Sequence, residues 1–110
     1  MGSERRRHPR IPYGQRGWFE AGAITLYAAV GNISAGGLFV KTHAPLQCGT
    51  RARVRLPVGT GELEATAEVV WESAAGGMAG MGLCFVEMDV SGRERLRAYL
   101  DDSEEGDELP

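Results

Sequence analysis

Arg6 and Arg10, with three residues between them in the run Arg5-Arg6-Arg7-His8-Pro9-Arg10, carry the clearest chemistry in the sequence. An arginine presents a rigid planar fork of N–H donors that grips phosphate oxygens or the O6 and N7 edge of guanine, and its flat face stacks on bases. In an extended segment this spacing lets two forks reach two points of one small anionic ligand. A tail with five arginines is, taken alone, equally a nonspecific polyanion binder or a solubility feature. The second stretch of interest is Asn32-Ile33-Ser34-Ala35-Gly36-Gly37, which separates two apolar runs. Asn and Ser side chains fold back onto nearby backbone, and glycine allows positive φ or the close approach of a partner. By itself this is a solvent-exposed turn between strands.

Enzyme chemistry finds little support. The two histidines are His8, in the basic segment, and His43, beside a loop proline, so no metal site can be assembled from sequence spacing and none is expected. A Cys84–His43 nucleophile pair is formally available, but Cys84 lies in an apolar strand and reads as a packed thiol. Gly77-Met78-Ala79-Gly80-Met81-Gly82 has the look of a nucleotide loop without its helix or its Gly-Lys-Ser/Thr ending, and reads as the twisted start of a strand. The expectation is a binding protein, not an enzyme, with no cofactor.

Composition sets the frame. One domain fits 110 residues that are 43% apolar and 25% charged. The net charge of −3 conceals an uneven distribution, because the first sixteen residues hold five arginines against one glutamate and Asp101 to Glu108 hold six acids and no base. A local basic cluster on a weakly acidic chain suits a small anionic partner better than a long polyanion, which needs a wider basic footprint. Cys48 and Cys84 are expected to be reduced and packed. There is no membrane-length apolar run and no signal-peptide pattern, so a cytoplasmic protein is expected.

The elements that must position these residues follow from period-two patterning. Residues 1–12, polar, basic and ending in Pro9 and Pro12, are expected to form a flexible arm. Strands are expected over Gln15 to Ala21, Ile24 to Asn32 and Gly37 to Thr42. In Arg51 to Leu56 arginine alternates with apolar residues. Leu63, Ala65, Ala67, Val69 and Trp71 share one face of the next strand, while Glu62, Glu64, Thr66, Glu68 and Glu72 share the other. This hairpin sets Arg51, Arg53 and Arg55 beside a glutamate row, which makes them structural partners and not an anion site. Met78 to Met88 make a sixth strand. A short helix with Leu96, Tyr99 and Leu100 on one face follows, capped by Asp89 or by Ser91 with Glu94. Residues 102–110 are expected to be a disordered acidic tail. The fold class is all-β with one terminal helix: a small six-stranded antiparallel β-barrel over residues 13–101, preferred to a sandwich because an open six-stranded sheet would leave long edges.

An Arg-x-x-x-Arg pair before the first strand, followed by Asn/Asp-x-Ser-x-x-Gly between two later strands, resembles the PilZ domain family. Arg6 to Arg10 and Asn32 to Gly37 carry the resemblance, with support from Glu68-Val69-Val70-Trp71 and Gly82-Leu83-Cys84-Phe85. It covers about residues 4–100. The resemblance implies a six-stranded barrel with a terminal helix and a receptor for the bacterial second messenger cyclic di-GMP. It further implies that Arg6 and Arg10 contact guanine edges and phosphates, that Asn32 bonds a guanine edge, that Ser34 contacts the ligand or shapes the turn, and that Gly37 lets backbone approach. Arg7 and Gly36 join these as secondary site residues. Trp71 is either an aromatic wall of the site or, in phase with Val69 and Ala67, a core residue. Arg5, directly before the first motif arginine, implies capture of two intercalated ligand molecules. Asn32 stands where many members carry Asp, which removes a charge from the guanine contact. The output is expected to pass through an unknown protein partner, with the membrane uninvolved. The two rivals are a ligand-free PilZ-like adaptor and a small nucleic-acid-binding barrel.

Overall fold

The computed structural model describes residues 10–74 and 76–108, which form seven strands, one turn of 3-10 helix at Gly76–Met78 and one α-helix. The strands are β1 (Ile11–Pro12), β2 (Arg16–Ala21), β3 (Ile24–Ile33), β4 (Gly37–Lys41), β5 (Arg51–Val58), β6 (Gly61–Ser73) and β7 (Gly80–Met88), and the helix is α1 (Val90–Glu108). The sheet order β1-β3-β2-β5-β6-β7-β4 returns on itself through β3–β4 pairing. Six antiparallel strands therefore close into a barrel, and β1 is an extra two-residue strand laid against the end of β3. Closure satisfies strand edges that an open sheet would expose.

The alternation read from the sequence is what puts the core inside. Along β5, Ala52, Val54, Leu56 and Val58 are buried while Arg51, Arg53 and Arg55 are exposed. The inward set across the strands includes Phe19, Ile33, Leu38, Leu56, Leu63 and Met81, all fully buried. Each such side chain contributes on the order of 1.5–3 kcal/mol of burial free energy. On the outside, Arg51 faces Glu68 at 3.5 Å and Arg55 reaches Glu62 at 3.9 Å, so the arginine row is paired with the glutamate row as its pattern implies. These exposed pairs contribute little to stability.

Helix α1 closes the barrel end. Asp89 is its cap, accepting the Gly92 N–H at 2.7 Å. Leu96 is buried, and Tyr99 and Leu100 pack against the core. The helix runs to Glu108. A capped and docked first half supplies the costly nucleus. The arm boundary moves. Ile11 and Pro12 belong to the barrel through their pairing with Ile33 and Asn32, and Ile11 is buried. Residues 1–9, including Arg5, Arg6 and Arg7, lie outside the described residues. Cys48 and Cys84 are unpaired but exposed, not packed. Cys84 points outward because its neighbour Leu83 takes the inward position on β7.

Tyr13 links the helix to the barrel. Its ring meets Tyr99 edge-on at 6.0 Å and its hydroxyl donates to the Pro57 carbonyl. Burial first, and the neighbouring Tyr99 second, push its pKa up from 10.0 to about 12. The unfolded chain then loses this proton before the folded one does. The Tyr13 contribution to stability is full below pH 10.0 and is lost as pH rises towards about 12. Urea midpoints measured at neutral and alkaline pH should show this fall in the wild type. The fall should shrink in Tyr13→Phe, and an unchanged alkaline slope in that variant would assign it to other groups.

Candidate functional site: an aromatic cleft at the root of the arm

The turn between β3 and β4 is held from within by Ser34. This side chain is buried, and its Oγ accepts N–H bonds from Gly36 at 3.2 Å and Gly37 at 3.3 Å. Its backbone N–H donates to the Gly37 carbonyl at 2.8 Å, and Phe85 N–H on β7 donates to the Gly36 carbonyl at 2.9 Å. Of the two roles implied for Ser34, the geometry supplies turn shaping. Gly37 is a glycine for a packing reason too, since a Cβ there would run into the Leu83 carbonyl and the Cys84 Cα. The space it leaves is filled by β7 rather than open to a ligand.

Asn32 escapes this packing through a register shift. The β3–β4 pairs run Val30↔Val40 and then Asn32↔Phe39, which leaves Gly31 as a bulge. The bulge keeps Asn32 half-exposed between the buried Val30 and Ile33. Its Oδ1 accepts a hydrogen bond from Arg10 Nη1 at 2.6 Å. Thus Arg10 and Asn32, twenty-two residues apart, are brought together. The β1–β3 pairing places them there, because Ile11 is held opposite Ile33 and Pro12 opposite Asn32.

A second register shift sets Trp71 on the outer surface. On β6 and β7 the pairs Val69↔Leu83 and Trp71↔Gly82 leave Val70 unpaired, so Trp71 departs from the inward phase of Ala67 and Val69. It is 41% exposed, which overturns the core reading and leaves the aromatic wall. Its indole stacks on Phe39, with ring centroids 5.4 Å apart and planes 16° from parallel. Three glycines clear the barrel wall beneath the pair. A Cβ at Gly82 would strike the indole of Trp71, and one at Gly31 or Gly80 would crowd the ring of Phe39.

Arg10, Asn32, Leu38, Phe39, Trp71 and Gly82 line an open cleft of about 280 Å³. A flat π surface, one guanidinium and one amide edge make a site for a planar, polar, anionic ligand. The lining carries a positive charge from Arg10 and no carboxylate. Phe39 and Gly82 were not legible as site residues, because both are ordinary strand residues until the register shifts are known. Arg53 is remote from this cleft, paired opposite Thr66 and Glu20 on the outer wall. Among the described residues no group of His, Cys, Asp and Glu could hold a metal ion, and no helix is long and apolar enough to cross a membrane.

Comparison with known proteins agrees with this geometry. The PilZ domain family model matches residues 4–102. Among solved structures, the inhibitor of motility MotI/DgrA of Bacillus subtilis is similar with a TM-score of 0.74 at 20% identity, over 94% of this chain and 53% of that one. YcgR of Escherichia coli, solved in complex with c-di-GMP, gives a TM-score of 0.70 at 21% identity, over 94% of this chain and 47% of that one. The PilZ domain of YcgR with c-di-GMP gives 0.61 at 20% identity, over 96% and 99%. This chain therefore spans about half the length of MotI/DgrA and of YcgR. No curated protein matches the sequence. The likeness at these identities concerns the fold. With the arginine motif, the Asn32 to Gly37 turn and a family match over nearly the whole chain, it follows that this protein belongs to the PilZ domain family.

Proposed function

We propose that this chain is a receptor for cyclic di-GMP that signals through a protein partner in the cytoplasm. The observation that carries the reading is the Arg10–Asn32 hydrogen bond at 2.6 Å on a cleft walled by Trp71 and Phe39. The ligand has two guanines and two phosphodiester charges, so it needs flat surfaces, an edge-reading amide and several cations. The cleft supplies the first two and one cation. Arg5, Arg6 and Arg7, outside the described residues, supply the rest from the arm, with Arg6 and Arg10 as the motif pair. Ser34, Gly36 and Gly37 act indirectly by fixing the turn that presents Asn32. Closure of the arm over the ligand is the conformational change a partner would read. Arg5 favours two intercalated ligand molecules per chain.

Isothermal titration with cyclic di-GMP tests this. Binding heat with about two ligands per chain is expected, together with a rise in melting temperature equivalent to about 2.7 kcal/mol for each ligand bound at a concentration 100-fold above Kd. A ratio of one would overturn the role given to Arg5, and absence of both heat and thermal shift would overturn the receptor reading. Steeply salt-dependent binding to DNA or RNA, with no preference for the cyclic dinucleotide, would point instead to nucleic acid.

A further inference from the structure

Barrel closure is incomplete along the first half of β3. β4 pairs with β3 from Ala29 to Ile33 and ends at Lys41, while β2 covers the opposite edge of β3 from Ile24 to Ala29. The edge of β3 from Ile24 to Ala28 that faces away from β2 thus has no strand beside it, and its backbone makes no turn or loop hydrogen bond among the described residues. Ile24 is 52% exposed and Tyr27 54%. Leu26, in phase with the buried Ala28 and Val30, is only partly covered. Strand edges left open are ordinarily guarded by a charge, a proline or a bulge. The sequence Ile24-Thr25-Leu26-Tyr27-Ala28 has none of these.

We infer that this edge is an interface between two copies of the chain, paired antiparallel about a two-fold axis at Leu26. The open edge begins where β3 begins, after the Gly22 turn with φ of 60°, and ends where Lys41 of β4 occupies the position beside Ala29. A second β3 in antiparallel register, Leu26 on Leu26, Thr25 on Tyr27 and Ile24 on Ala28, fills this slot with its own equally long free segment. Its turn then falls where β4 stops, so neither strand overruns the other. Ile24, Leu26 and Ala28 of both copies join on the core-facing side and complete each other's cover. On the outer side Tyr27 already stacks with Trp18 at 4.5 Å, and Trp18 is 40% exposed, so the two aromatic pairs become neighbours across the axis. Charge agrees with the symmetry. Lys41 and Glu20 are both exposed on the outer face, and each lies nearest the end of the slot that receives the other from the second copy. A strand of cationic sequence would meet Lys41 and Arg16 instead and be repelled.

The pairing is short, so a weak, concentration-dependent dimer is expected, with Kd between tens of micromolar and millimolar. Light scattering coupled to size exclusion, on the full chain without ligand, should show mass rising from monomer towards dimer across that range. Hydrogen exchange of the Ile24 to Ala28 amides should slow in parallel, while exchange in β5, paired with β6 along its whole length, should not change. Ile24→Lys and Tyr27→Lys, both at exposed positions, should leave circular dichroism and melting intact and weaken dimerisation at least tenfold. A monomer throughout the range, or a dimer whose Kd both lysine variants leave unchanged, overturns the inference. None of these readouts involves cyclic di-GMP, so they stand apart from the receptor reading.

Discussion

Arg10→Ala should abolish measurable cyclic di-GMP binding while the barrel melts as the wild type does. The side chain is exposed and its one described bond goes to Asn32, so its removal costs the fold little. For a ligand the loss is larger, since a guanidinium makes charge-assisted bonds of about 1.5–3 kcal/mol each, and loss of a two-bond fork weakens Kd by a factor of about a hundred or more. Asn32 would also lose the cation that orients its amide. Arg6→Ala is expected to behave alike. Arg53→Ala provides the contrast, because Arg53 sits on the outer wall between Glu20 and Thr66 and should bind ligand nearly as the wild type does. Titration calorimetry of the three variants checks this. Equal damage from Arg53→Ala would place the site elsewhere on the barrel.

Gly37→Val should prevent the barrel from folding. Gly37 pairs with Cys84 on β7, and any Cβ at that position meets the Leu83 carbonyl, a backbone group that cannot turn aside. Relief requires β4 and β7 to part, which breaks barrel closure, and the cost is set against a total stability of only about 5–15 kcal/mol. The expected result is an insoluble chain or one without a cooperative melt. Gly14→Ala is the control, because nothing lies within 4 Å of a Cβ there. A folded Gly37→Val that merely fails to bind ligand would restore the view that this glycine makes room for the ligand.

What was legible in the sequence was whatever depends on strict alternation. The strand hairpin from Arg51 to Trp71 repeats every two residues, so its inner and outer faces could be assigned and the pairing of Arg51 with Glu68 anticipated. The Arg10 and Asn32 halves of the site were legible for another reason, their side-chain chemistry. The aromatic wall was hidden because alternation fails there. Val70 and Gly31 each insert one unpaired residue, and neither residue type marks its strand as bulged. Trp71 therefore read either as a core residue in phase with Val69 or as an aromatic wall, and Phe39 as an ordinary strand residue. For Ser34 the sequence left ligand contact and turn shaping open, and for Gly37 it suggested backbone approach, since a small residue needed for packing looks the same in sequence as one needed for access.

The bulge at Val70 makes the location of Trp71 a matter of counting. Deleting Val70 would remove the bulge and place Trp71 directly after the inward Val69, still opposite Gly82 and still on the outer face. Replacing Val70 by another residue would keep the count and leave Trp71 on the cleft. The aromatic surface is thus insensitive to the identity of residue 70 and to its removal. Trp71 would turn inward only if Val70 joined the ladder opposite Gly82, so the unpaired state of one valine is what keeps the indole on the outer wall.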